Sequence, residues 1–138
     1  MRVIIDSNVI VSAMRSNRGH SYSLVSNIGR DPRWRLSISG PLLQEYTEQV
    51  FAHAPIPGWS RTHCDNFLDY ICASATWSDV YFLWRPLLPD PDDHMVLEAA
   101  VAASAQFIIS FNKNDLAAAE GFGIQIVTPR EFMLHYLT

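Results

Sequence analysis

Four stretches of this 138-residue chain place oxygen-bearing side chains where chemistry could be done. They are Asp6 closing the apolar run RVII, Glu45 in LLQEY, the triplet Asp90, Asp92 and Asp93 in PDPDDHMVLEAA, and Asn112 with Asp115 in FNKND. Each has an ordinary explanation. Asp and Asn favour turns through local hydrogen bonding, which covers Asp6 and Asn112, and Asp115 suits the N-cap of the short helix LAAAE. Glu45 shares its segment with Gln44, Glu48 and Gln49, as a solvent-facing glutamate would. Acids at a helix start are stabilised by roughly 0.3–1 kcal/mol each, enough to explain one or two of the triplet. Three acids within four residues exceed what capping needs, and like charges held together are costly unless a cation neutralises them. Oxygen donors gathered from several elements suit Mg2+ or Mn2+, ions that orient water and stabilise charge on a phosphodiester.

What would gather them is a parallel sheet. Arg2 to Ile5 is β-branched at three consecutive positions, the pattern of a central strand covered on both faces. SNRGHSY reads as a loop and SLVSNIGR as a helix stopped by Gly29, with WRLSIS as a second, alternating strand. A helix over GPLLQEYTEQVFAHA follows, with Pro41 in its first turn, and THCDNFLDYICASA carries apolar residues at helical spacing. DVYFLW is read as a strand, HMVLEAAVAASA as a helix, and FIIS and IQIV as short buried strands around a polar turn and short helix. Thr128, Pro129 and Glu131 form a capping box that opens a last helix. Alternation of this kind gives an α/β fold: one domain over 1–138, a central parallel sheet of four to five strands, and helices on both faces. Ligands of such sheets bind beyond the carboxyl ends of the strands, where Asp6, Asn112 and Asp115 fall, with Asp93 at a helix start and Glu45 on a helix able to reach.

The totals narrow the class. Half the residues are apolar (49%) and 17% are charged, so the chain folds rather than staying disordered. No stretch is long and apolar enough for a membrane span and no secretory signal opens the chain, which makes the cytoplasm the expected location and a membrane an unexpected partner. Cys64 and Cys72 read as core thiols, and no Cys or His pair has zinc spacing. Asp6 is followed by SNVIVSAM instead of a glycine-rich turn, so the cradle of a dinucleotide or P-loop site is missing. The net charge of −4 is unevenly spread: six arginines against two aspartates leave the first 35 residues at +4 and the remainder at −8. A polyanion would be drawn to the basic quarter while the acids hold a cation.

IIDSNVIVSA, SISGPLLQEYTEQV, DPDDHMVLEAAVAASAQFIIS, and FNKNDL followed by GIQIVTPREFM, in that order, resemble the successive motifs of the PIN-domain ribonucleases. The resemblance is to the toxin-like, VapC-type branch of bacterial toxin–antitoxin systems in particular, and it spans almost the whole chain. It implies a single PIN-like domain with metal-dependent endoribonuclease activity. Carried over by position, Asp6, Glu45 and Asp93 would be the catalytic acids and would hold Mg2+ or Mn2+ with Asn112 or Asp115. Ser7, Asn8 and the neighbouring Asp92 would support them. Asp93 is preferred to Asp92 because it lies four positions before Leu97 of the helix. Asn112 is a departure, since many relatives carry an aspartate there and an amide contributes no charge.

Arg15 and Arg18, read as lying in the loop that leaves the first strand, would contact RNA phosphates. Trp34, Trp59, Trp77 and Trp84 could stack on unpaired bases, although packing is the commoner use of a tryptophan. The resemblance further implies an RNA substrate, a cognate antitoxin and a homodimer. The rival reading is a catalytically weak or inactive PIN-fold module that binds RNA or protein, and Asn112 is the residue that favours it. An aspartate-nucleophile phosphatase would want a second acid where Asn8 stands.

Overall fold

The computed structural model describes residues 1–54, 59–79 and 94–137. Asp90, Asp92, Asp93, Trp84 and all but the first residue of the strand expected over DVYFLW lie outside the described residues. Five parallel strands form one sheet: β1 (Arg2–Ile5), β2 (Arg35–Ile38), β3 (Thr76–Trp77), β4 (Phe107–Ile109) and β5 (Gln125–Val127), in the order β3-β2-β1-β4-β5. Val3, Ile4 and Ile5 are all buried, as are Phe107, Ile108 and Ile109. Successive strand residues point to opposite faces, so both central strands are covered on both sides, as their unbroken apolar runs require. The chain steps outward from β1 through β2 to β3 and then returns to the other side of β1. The strand order therefore reverses between β1 and β4, and an α/β sheet opens its ligand crevice at such a reversal.

The helices are α1 (Ser7–Arg15), α2 (His20–Ser26), α3 (Gly40–His53), α4 (Arg61–Ser74), α5 (His94–Ala102) and α6 (Pro129–Glu131). A 3-10 turn at Ala117–Phe122 precedes β5, and a wide turn at Phe132–Tyr136 prolongs α6. Local chemistry sets their starts. The Ser39 hydroxyl accepts from the Leu42 amide and Pro41 sits in the first turn of α3, while Ser60 with His63 and Thr128 with Glu131 close capping boxes. Gly29, at φ +76, ends the α2 region where a Cβ would lie 2.9 Å from that of Ser74, so the left-handed turn and the close pass of α4 both require glycine.

Two expectations are corrected. The stretch after β1 is no loop: α1 starts at Ser7, one residue past Asp6, because VIV and AM put apolar side chains on the buried face at helical spacing. Arg15 accordingly ends a helix. The structure also adds a strand that was not expected, Thr76–Trp77, whose side chains are exposed at the sheet edge, which is why it left no apolar signal. Asp115 caps nothing, since the residue before the 3-10 turn is Leu116.

Of the tryptophans, Trp34 is core, with its ring edge-on to Phe132 at 5.9 Å, and Phe132 meets Phe107 of β4 at 5.4 Å, which pins the terminal turn to the sheet. Trp59 packs edge-on against Phe67, while Trp77 is exposed. Cys64 and Cys72 are free thiols. Among the described residues no helix is long and apolar enough to cross a membrane.

Candidate active site

Asp6 stands at the reversal point. The register pairs Ile5 with Ile109, so the next residues, Asp6 and Ser110, face each other across β1 and β4 where the two strands end. The Asp6 amide donates to the Ile109 carbonyl at 2.9 Å, and the Ser110 hydroxyl donates to Asp6 Oδ2 at 2.7 Å. Ser110 is wholly buried and Asp6 only 5% exposed. Asp6 occupies the N-cap position of α1, yet its side chain closes no capping hydrogen bond. Capping alone therefore does not account for its carboxylate, although the first-turn amides lie beside it. Burial pushes the Asp6 carboxyl pKa up, against the opposing pull of Ser110 and of the Ser7 and Asn8 amides that lie on its side. Among the described residues no salt bridge reaches it.

A small polar network holds this edge in place. Asn8 donates to Ser110 Oγ at 3.4 Å and accepts from the Phe111 amide at 3.5 Å, and the Asn112 amide donates to Ser110 Oγ at 2.9 Å. Ser110 thus joins the first helix, the first acid and the loop carrying Asn112. That loop is anchored from its far side by Lys113, whose Nζ meets Glu131 Oε1 at 2.9 Å, so the capping box of α6 also fixes Asn112. Behind the site the buried Tyr46 hydroxyl donates to the Ile5 carbonyl, and burial together with the Asp6 charge holds its phenol well above the ordinary range.

The open side is a cavity of about 330 Å3 that Asp6, Ser7 and Asn8 line with Glu45 and Asn112. Four of the expected site groups and the supporting Ser7 are therefore brought together by β1, α1, α3 and the loop after β4. Glu45, half-buried beside Leu42 and Tyr46, does face this side instead of solvent. Asp115 is not part of the cavity; it is exposed and lines a neighbouring hollow with Phe111 and Lys113, so Asn112 is the member of that pair facing Asp6. Arg15 lines the cavity. Arg18 does not, and sits exposed in the turn after α1.

Sequence reasoning missed four residues. Ser110 was read only as the end of a strand, and its signal was its place opposite Asp6 in register. Tyr46 looked like an ordinary core ring next to Glu45. Gln49 and His53 also line the cavity, at helical spacing from Glu45, which is the pattern that could have found them.

The donors suit a hard divalent cation. Asp6 is a desolvated carboxylate left without a cation among the described residues, and Glu45 and the Asn112 carboxamide add oxygen ligands to the same cavity. Among the described residues no three His, Cys, Asp or Glu side chains form a cluster that would hold a metal, so Asp6 and Glu45 alone do not complete a site.

Comparison with known proteins gives the same frame. A family model described as PIN domain matches residues 2–114. A chain in the crystal structure of VapBC2 from Rickettsia felis, bound to a DNA fragment from their promoter, superimposes with a TM-score of 0.61 at 14% identity, covering 93% of this chain and 98% of that one. No curated protein matches the sequence.

Proposed function

The chain belongs to the PIN-domain family, and on that premise we propose that it is a metal-dependent endoribonuclease, acting as the toxin of a type II toxin–antitoxin pair in the cytoplasm. The observation that carries the reading is Asp6: a buried carboxylate, at the strand-order reversal, hydrogen-bonded by Ser110 but not neutralised by any described cation. Holding an ionised carboxylate out of water costs free energy, and a bound cation offsets that cost. Asp6, Glu45 and Asp93 would hold Mg2+ or Mn2+, with the Asn112 carbonyl oxygen as a further donor, Asp92 as a neighbour able to substitute for Asp93, and Asp115 as an outlying acid. The chemistry such an ion supplies when bound is activation of water and stabilisation of charge on the phosphodiester.

The chain's own groups do the rest. Ser110 fixes the rotamer of Asp6, Asn8 and the Asn112 amide fix Ser110, and Ser7 lines the wall beside them. Arg15 draws the RNA backbone to the cavity and Arg18 adds to the field further out. The structural likeness to VapBC2, which binds a DNA fragment from its promoter, supports a cognate antitoxin as partner. A homodimer follows from the family resemblance alone. A non-catalytic RNA- or protein-binding module is the second reading, favoured by the neutral amide of Asn112 beside Asp6.

Purified protein is tested on a mixed single-stranded RNA with Mn2+, with Mg2+ and with EDTA, beside Asp6→Asn and Asp93→Asn. Losing the contribution of a metal-held transition state is worth several kcal/mol, so cleavage falls by at least about 100-fold in both variants. Folded but inert wild-type protein, with no Mn2+ binding by calorimetry, would transfer the conclusion to the binding module.

A further inference from the structure

The cavity is longer than a metal site needs, and its far end has a different character. Asn8, Val11 and Arg15 line it from α1, and Glu45, Gln49 and His53 line it from α3. These are single stripes at helical spacing, three or four residues apart. The two helices leave adjacent parallel strands by the same edge and pack on one another, so their stripes form the walls of one groove. Acids stand at its beginning and cations at its end. From Glu45 to His53 a helix rises about 12 Å, and from Asn8 to Arg15 about 10 Å.

A cation in the last turn of a helix is explained by the macrodipole whichever face it occupies. That does not explain why Arg15, ending α1, and His53, ending α3, turn to the same cavity. Arg15 has no acid partner among the described salt bridges. The His53 ring is oriented, with Nδ1 at 3.1 Å from the Gln49 carbonyl. That contact makes Nδ1 the donor and leaves Nε2 as the ring nitrogen available to a ligand in the groove, one that donates to an anion when the ring is protonated. Gln49 adds an amide between the two ends.

We propose that this groove is directional: the Arg15, Gln49 and His53 end is a phosphate subsite that grips the RNA backbone beside the linkage being cut, setting the strand's register over Asp6. The inference rests on the ribonuclease reading for its ligand, but the subsite is built from residues that reading does not use for chemistry. The ligand it would take is a phosphodiester of single-stranded RNA whatever the base, since contacts of cationic groups to the phosphate carry no sequence information. An acidic peptide is the competing ligand.

Binding of a fluorescent single-stranded RNA is measured by anisotropy in EDTA, where cleavage plays no part, across a salt series. The proteins are wild type, Arg15→Ala, His53→Ala, His53→Gln and, as a control, Arg35→Ala, exposed at the start of β2 on the opposite edge of the sheet. For single strands the slope of log affinity on log salt is about −0.7 per neutralised phosphate, so Arg15→Ala flattens it by about 0.7. His53→Ala weakens binding several-fold on RNAs of different sequence, His53→Gln restores most of it through its amide donor, and Arg35→Ala changes neither. Both side chains are exposed, so the variants keep the fold, checked by circular dichroism.

The proposal is overturned if wild type binds RNA while Arg15→Ala and His53→Ala match it in affinity and slope; metal-dependent cleavage could persist in that case and the nuclease reading would stand. It is also overturned if RNA does not bind at all, or if an acidic peptide binds through these residues in its place. If both variants lose RNA binding and the wild type still cuts nothing with Mn2+, the subsite stands and the nuclease reading falls.

Discussion

Two aspartates in this chain live opposite lives. Asp31, in the turn before β2, is gripped by Arg33, whose Nη2 lies 2.7 Å and Nε 3.0 Å from its oxygens, and whose amide donates to the same carboxylate. Those hydrogen bonds hold its pKa down to about 2. Asp6, by contrast, sits in the core at the ends of β1 and β4 with one strong hydroxyl donor, and burial raises its pKa. A fold can afford an exposed, paired acid anywhere. A buried acid without a cation is a cost to the apo protein, and selection for stability alone would replace it with asparagine. On the function proposed above, the comparison separates an acid that serves the fold from one whose burial a ligand would answer.

The sharpest way to test that separation beyond activity is through Ser110, the hydroxyl that Asp6 depends on. Removing a group that orients a metal ligand typically lowers metal affinity 10–100-fold. Ser110→Ala should therefore weaken Mn2+ binding by that factor in calorimetry while the protein remains folded, since the Ser110 amide still donates to Val127 in the sheet. Unchanged affinity would mean that Asp6 does not carry the ion. A smaller effect follows for stability. Because the folded-state pKa of Asp6 lies above that of the unfolded chain, the native state holds the proton more tightly. Stability then falls as pH rises from the unfolded carboxylate value, about 3.9, through the raised folded one, and the penalty is fully present above it. Asp6→Asn in EDTA should unfold at a higher temperature than wild type at neutral pH, by about 4 °C if the relief is on the order of 1 kcal/mol. That advantage should shrink on acidification, and excess Mn2+ should reverse the ranking by stabilising only the wild type. A variant that melts lower in EDTA at every pH would show that Asp6 serves the fold after all.

The sequence was most informative where a pattern and a function coincide on one element. The unbroken apolar runs of β1 and β4 announce buried parallel strands, and the residue that ends each run is by that fact at the ligand edge. The Thr128–Glu131 capping box could be read outright because its four residues are contiguous. What stayed hidden was relational. Ser110 meets Asp6 through register, set by pairing across more than 100 residues, and His53 reaches the cavity through the packing of α3 on α1. Trp77 belongs to an edge strand of two residues, too short and too exposed to show periodicity. The helix after Asp6 was obscured because VIV favours strands by propensity, and burial against the neighbouring helices overrode it.

The weakest expected effect completes the contrast. Asp31→Asn breaks a pair whose arginine is largely exposed, and water and salt already screen it, so the loss of melting temperature at neutral pH should stay under about 4 °C. Its pH signature is opposite to that of Asp6. A depressed folded pKa stabilises above the unfolded carboxylate value and ceases to do so as pH falls from about 3.9 through about 2. The wild-type advantage over Asp31→Asn should therefore be constant near neutrality and vanish in acid, whereas the Asp6→Asn advantage over wild type grows as pH rises. Metal should leave the first difference untouched, since Asp31 lines no part of the Asp6 cavity. Raising salt should reduce it further. Two difference curves of opposite slope, only one of them sensitive to Mn2+, would show that the two carboxylates differ in what they are for as well as in where they are; opposite slopes with neither curve sensitive to Mn2+ would mean that burial alone, without a ligand to answer it, explains Asp6.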